Sequence, residues 1–167
     1  MKMKLNAIYD NGRVRRFHTV PDYTSVASQN IAEHSWGVAL ICIDLCRRLD
    51  HEPSAKLLTA ALLHDIEEGI TGDTPAPAKW KFPELRAALV SAEVWALREL
   101  GLSEIELNDA EQLILKWADS IELVLYCNRK IKTGNQAYGI VHANILQYIY
   151  DDLEPLSAGY AVLQEIL

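Results

Sequence analysis

The stretch Leu57-Leu58-Thr59-Ala60-Ala61-Leu62-Leu63-His64-Asp65-Ile66-Glu67-Glu68 begins as a buried helix and ends in ionisable groups. Up to Leu63 it is almost wholly apolar, and then an imidazole and a carboxylate follow with no intervening turn residue. Burying such groups without partners costs several kcal/mol each, so they should be paired or bound to a metal. The stretch therefore predicts a helix that runs through a core and delivers polar chemistry into it.

The segments on either side carry the same helical period. Upstream, a helix is expected from Ser28 or Gln29 to Leu49, with Ile31, Val38, Ile41, Cys42, Leu45 and Leu49 as its apolar stripe. Pro53 and Ser54 open the quoted helix, which is expected to reach Glu68 and stop at Gly69. Residues 69–82 hold two glycines and two prolines and read as a loop with one helical turn at most. Further helices are expected over Pro83–Leu100, Asp109–Lys132, Gln136–Asp151 and Pro155–Ile166. Only the beginning differs: Leu5–Tyr9 followed by Asn11-Gly12 reads as a short strand and turn. Five to seven helices without a sheet signal predict an all-α bundle, one domain over residues 1–167.

A chain of 167 residues can bury a substantial core, roughly 70% of its unfolded surface. The net charge of −7 argues against a general binder of nucleic acid or of membrane surfaces, which needs a broad cationic face. It leaves a phosphorylated small molecule open, since a site needs only local positive charge. No apolar run reaches the ~20 residues of a membrane span. Met1–Asn6 shows no apolar stretch with a cleavage site. Cys42, Cys46 and Cys127 lie on apolar stripes and read as buried free thiols, so a reducing cytoplasm is expected.

Polar residues within apolar helix faces carry the chemistry. His34 interrupts the stripe between Ile31 and Val38, and Asp119 sits in Leu113–Ile121. A lone histidine on such a face is usually a satisfied core residue, and a lone aspartate usually a cap. Four such residues on three helices, His34, His64, Asp65 and Asp119, are harder to explain that way. Imidazole with carboxylate is a ligand set for zinc, manganese or cobalt, and leaves positions open for water and substrate.

The adjacent pair His64-Asp65, preceded by His34 and followed by Asp119, resembles the H…HD…D ligand set of the HD-domain phosphohydrolases. Within that superfamily the chain is similar to the 5′-deoxynucleotidase-like branch, which includes phage dATP triphosphohydrolases. The matching stretches are Arg16-Phe17-His18-Thr19, Ala32-Glu33-His34-Ser35, Leu63–Glu68, Thr71–Lys79 and Ala118-Asp119.

The resemblance implies a divalent metal (Zn, Mn or Co) held by His34, His64, Asp65 and Asp119. It implies Glu68 as general base toward the attacking water, with Asp73 joining it near the water or near a second metal. Arg16 and Lys79 would meet phosphate, His18 phosphate or sugar, and Trp80 would wall the base pocket. Read by themselves, Asp73 is a turn residue, Lys79 a surface cation, Trp80 a core residue and Glu67 a surface residue.

The activity implied is deoxynucleotide hydrolysis. One reading releases triphosphate from a dNTP with preference for dATP. The alternative is a 5′-deoxynucleotidase acting on dNMPs, and a third is a silent HD module that binds a nucleotide and regulates a partner. The partner expected is a small-molecule substrate, with no nucleic-acid polymer and no membrane. Spare aromatic and aliphatic helix positions point to a homo-oligomer.

Overall fold

The computed structural model describes residues 2–22, 24 and 28–167, apart from the side chain of Trp80. Among them it holds nine helical segments and no strand. Six are of nine residues or more: α2 (Ile31–Arg48), α3 (Ala55–Leu63), α6 (Pro83–Glu99), α7 (Asp109–Lys132), α8 (Tyr138–Asp151) and α9 (Ser157–Ile166). Three are short: α1 (Leu5–Asn11), α4 (Glu68–Thr71) and α5 (Ala76–Lys81). The all-α bundle expected from periodicity is the architecture found.

Local chemistry sets the helix starts. Asn30 caps α2 and Asn108 caps α7, each in a reciprocal box with the glutamate three residues on, Glu33 and Glu111. Ser54 caps α3 by accepting from the backbone N–H of Leu57. Helices α2, α3, α7 and α9 bury one continuous core around Leu45, Leu57, Trp117, Ile121 and Leu163, and α8 packs along α7. The fully buried Trp117 donates its indole N–H to the Glu154 carbonyl at 2.8 Å. Gly159 lets α9 approach it, because a Cβ there would lie 2.2 Å from Trp117 Cε3.

Besides the six-residue α5, which lies within the loop expected over 69–82 and exceeds the one helical turn expected there, two expectations are corrected. The strand expected over Leu5–Tyr9 is helical, α1. Lys4 donates its backbone N–H to the Leu100 carbonyl, and Ala7 and Ile8 pack on the small cluster of Ile66, Leu100 and Leu102. Ala7, Ile8 and Asn11 are spaced by a helical turn and face the protein, while no strand among the described residues could have paired with the segment. The second correction concerns the helix through His64. It ends at Leu63; residues 64–67 form a turn, and α4 begins at Glu68 and runs through Gly69.

Candidate active site

Three separate elements deliver the ionisable groups to one point at the end of the core. His34 comes from the first turns of α2, His64 and Asp65 from the turn after α3, and Asp119 from the middle of α7. His34 Nε2 lies 3.2 Å from His64 Nε2, 3.1 Å from Asp119 Oδ1 and 3.5 Å from Asp65 Oδ2. His64 Nε2 lies 3.4 Å from Asp65 Oδ2 and 4.0 Å from Asp119 Oδ1.

The outer nitrogens fix where the protons are. His64 Nδ1 stands 2.9 Å from the Ala61 carbonyl, which can only accept, so Nδ1 carries the hydrogen. His34 Nδ1 stands 2.6 Å from Glu122 Oε2 and donates to it. With both rings neutral, the two Nε2 atoms present lone pairs toward two carboxylates. Such a cluster of acceptors needs a cation at its centre. Metal–ligand distances of roughly 2.0–2.2 Å put neighbouring ligand atoms roughly 3 to 3.5 Å apart, which is the spacing of every pair above except His64–Asp119. The group His34–His64–Asp119 could hold a metal ion, and Asp65 lies against it.

Electrostatics agree. Burial works against a charged His34, but hydrogen bonds with Asp119 and Glu122 outweigh it and push the imidazole up to about 9. The carboxylates thus draw positive charge to this point, as a proton on Nε2 while no cation is bound and as the cation itself when the ring is a neutral ligand. Asp119 moves the other way: burial raises its pKa, and the bond with His34 and the charges around it hold it well below the usual carboxylate range.

Arg16 enters from the segment before α2, which pairs with it through the backbone N–H of Arg16 and the Gln29 carbonyl at 2.9 Å. Its side chain is 13% exposed, its Nη2 stands 4.0 Å from Asp65 Oδ2, and its Nε and Nη1 are buried without partners among the described residues. Unfilled buried donors of a guanidinium beside a cation site suit an anion such as phosphate. Phe17 follows at φ 60°, in the left-handed region, stacked on Tyr126 at 5.0 Å. Asp73 Oδ2 accepts the Phe17 backbone N–H at 2.9 Å, and His18 Nδ1 lies 3.7 Å from the same oxygen. Asp73 therefore ties the arm carrying Arg16 to the loop after α4.

Glu68 is buried at the start of α4, with Lys79 Nζ of α5 3.7 Å from its Oε1 and with its Oε2 unpartnered among the described residues. Burial, then the repulsion of Asp65 and Asp73, push its carboxyl up to about 8. A cavity of about 180 Å³ opens beside it, lined also by Lys79, Arg86 and Glu93. Glu67 corrects the sequence reading. It lines that cavity half-buried rather than lying on the surface, and burial pushes it up to about 8 as well. The break in the helix after Leu63 is the reason. Trp80 belongs to α5, but its side chain lies outside the described residues.

Glu122 was missed in the sequence. It lies three residues after Asp119 on the inward face of α7, and that spacing among Ala118, Ile121 and Val124 was the available signal.

The family model described as 5′-deoxynucleotidase YfbR-like matches residues 12–160. The chain belongs to the YfbR-like 5′-deoxynucleotidase family. This YfbR-like chain is 29% identical to a dATP triphosphohydrolase of cyanophage S-2L over 145 residues, covering 85% of the chain and 81% of the phage protein. It is 30% identical to a 5′-deoxynucleotidase of Vibrio atlanticus, with 75% of each covered. The fold matches a cyanophage S-2L HD phosphohydrolase solved with dA and one catalytic Zn²⁺ ion, with a TM-score of 0.72 at 24% identity, covering 99% of this chain and 95% of that one. It also matches an HD-domain phosphohydrolase of Listeria innocua, with a TM-score of 0.73 at 23% identity over 97% and 85%. The YfbR-like chain thus shares the fold of the HD-domain phosphohydrolases.

Proposed function

We propose that the protein hydrolyses deoxynucleotides at a single divalent cation held by His34, His64, Asp65 and Asp119, and that it releases triphosphate from dATP. The convergence of two imidazole lone pairs and two carboxylates, with both outer imidazole nitrogens committed as donors, carries the reading. A divalent cation bound there, whether Zn²⁺, Mn²⁺ or Co²⁺, supplies Lewis-acid charge and lowers the pKa of a coordinated water.

The chain's own residues do the rest. Glu68, with a free and buried Oε2, takes a proton from the attacking water. The water oxygen bonds to the α-phosphorus and the bond from that phosphorus to the 5′-oxygen breaks. The 5′-oxygen leaves as the hydroxyl of deoxyadenosine, taking up the proton, and triphosphate is the second product. Arg16 places its unfilled Nε and Nη1 on phosphoryl oxygens, and Lys79 adds a point charge. Asp73 and His18 hold the Arg16 arm, His18 within reach of phosphate or sugar, and Trp80 walls the base. A second cation, if bound, would lie near Glu68 and Asp73, outside that ligand cluster.

The triphosphate preference is supported by the likeness to the phage dATP triphosphohydrolase. The 5′-deoxynucleotidase reading is supported by the family description and by the Vibrio relatives. The same proposal places the whole 1–167 domain in the cytoplasm as a homo-oligomer acting on a small molecule and on no polymer or membrane. Trp36 and Leu40, exposed one turn apart on α2, would then lie between subunits. No described helix is long and apolar enough to cross a membrane.

Product analysis with Mn²⁺, Co²⁺ or Zn²⁺ against all dNTPs and dNMPs tests the assignment, with a His64→Ala/Asp65→Ala double variant as blank. Triphosphate from dATP is the expected product. Phosphate from dNMPs alone would move the assignment to the nucleotidase, and silence on every substrate would leave a nucleotide-binding regulatory module.

A further inference from the structure

We infer that Glu122 is a positioning residue for the metal centre: its negative charge, bonded to His34 Nδ1, fixes that ring's tautomer and orientation and its strength as a ligand, and Gln29 holds it in place. The inference rests on the cation site proposed above. Glu122 touches neither the cation position nor any group expected to meet substrate.

The carboxylate is buried, and each of its oxygens has one short partner. Oε2 accepts from His34 Nδ1 at 2.6 Å, and Oε1 accepts from Gln29 Nε2 at 2.6 Å. Gln29 is itself fixed at both backbone ends. Its N–H donates to the Tyr126 hydroxyl at 3.0 Å, and its carbonyl accepts the Arg16 N–H at 2.9 Å. One carboxylate on α7 is thus joined to a ligand on α2 and, through one side chain, to the arm that carries Arg16. The packing leaves it little freedom, because a Cβ on Gly37 would lie 2.9 Å from Glu122 Cγ.

The chemistry of the link has one direction. A carboxylate on Nδ1 obliges that nitrogen to carry the proton, so Nε2 keeps its lone pair aimed at the cation position, and the negative charge makes the ring a better donor. Without Glu122 the buried ring could rotate or take the other tautomer, which would turn an N–H toward the two carboxylates and His64. Outer-shell partners of this kind are commonly worth about 10–100-fold in metal affinity.

Glu122→Gln is the informative change. The amide oxygen can still accept from His34 Nδ1–H. Rotation of the Gln29 amide, whose Oε1 has no partner among the described residues, lets it accept from the new NH₂. The hydrogen-bond pattern survives and the charge is lost. Gly37→Ala is the second variant: it crowds the Glu122 side chain from α2 without touching His34 or Glu122 chemically, and it favours the helix.

The full-length protein is stripped with chelator and titrated with Zn²⁺ against a competing chromogenic chelator, and thermal unfolding of the stripped protein is followed in parallel. His34→Ala serves as the reference for a lost ligand. The expected result is a Zn²⁺ affinity about 10–100-fold weaker in Glu122→Gln, with the melting temperature of the stripped protein unchanged. Gly37→Ala should weaken binding in the same direction and carries the test should Glu122→Gln not fold. Wild-type affinity in folded Glu122→Gln, or in Gly37→Ala if that variant stands alone, overturns the inference. If the wild-type protein itself binds no Zn²⁺, or binds it no better than His34→Ala does, the cation site fails and the inference falls with it. Loss in His34→Ala together with full affinity in Glu122→Gln leaves the cation site standing and removes only the role of Glu122.

Discussion

Helices α6 and α7 are both long, yet they belong to different kinds of structure. α7 buries Ile114, Trp117, Ala118, Ile121, Val124 and Cys127 among others, whereas α6, over 17 residues, buries only Ala96. The first is the spine of the main core. The second covers a thin flank built on Ile66, Leu100 and Leu102. The candidate site lies on the seam between them. His34 and Asp119 stand on the helices of the core and His64 on the turn that ends α3, while Glu68 and Lys79 come from the short helices under α6. Rigid packing holds the groups that must keep a coordination geometry, and the lightly packed side holds groups that must meet a substrate and release it.

The largest expected contrast is chemical. Asp119→Ala should abolish high-affinity metal binding and lower activity at least about 10³-fold, since it removes one of the four proposed ligands. Glu68→Gln should lower kcat by about 10²–10⁴-fold while leaving metal affinity at the wild-type value. Metal titration beside steady-state kinetics separates the two. If Glu68→Gln lost metal as Asp119→Ala does, the seam would not divide binding from proton transfer.

A smaller contrast lies in stability. Ile121→Ala on α7 should destabilise the protein by about 2–5 kcal/mol, because the buried side chain leaves a cavity that the packed helices cannot close. Val90→Ala on α6, 54% exposed in the wild type, should stay within about 0.5 kcal/mol. Denaturant unfolding of the two variants checks both values, and equal losses would mean that α6 is held as firmly as α7.

The smallest expected effect is an absence of reaction. Burial pushes the Cys42 and Cys127 thiols up to about 12 and raises Cys46 too, so none is a thiolate at pH 8. A thiol reagent should label none of the three in the native protein and all three after unfolding. Rapid native labelling would show that the core opens.

The same division explains what was legible in the sequence. The helices of the core announced themselves, because Ile31, Val38, Cys42 and Leu45 on α2, and Ile114, Trp117, Ile121 and Val124 on α7, repeat at the helical period. His34 and Asp119 were visible as breaks in those stripes. On the flank, local periodicity had little to report. α1 was read as a strand because its fold depends on packing against Leu100 and Ile66, distant in sequence. The turn at 64–67 was read as continuous helix because nothing in Leu63-His64-Asp65-Ile66 breaks the pattern. The convergence of His64 and Asp65 with ligands from two other helices depends on that turn. Glu122 escaped notice because a glutamate on an otherwise charged helix looks solvated until its neighbours Gln29 and His34 are seen around it.

Hydrolysis is proposed to depend on one cation held by His34, His64, Asp65 and Asp119. Stepwise return of Zn²⁺, Mn²⁺ or Co²⁺ to chelator-stripped protein, with dATP hydrolysis followed at each step, tests it most directly. The account predicts no activity without metal and a rise that saturates at one equivalent per chain. Full activity in the stripped protein, or no binding of any of the three ions, would contradict it.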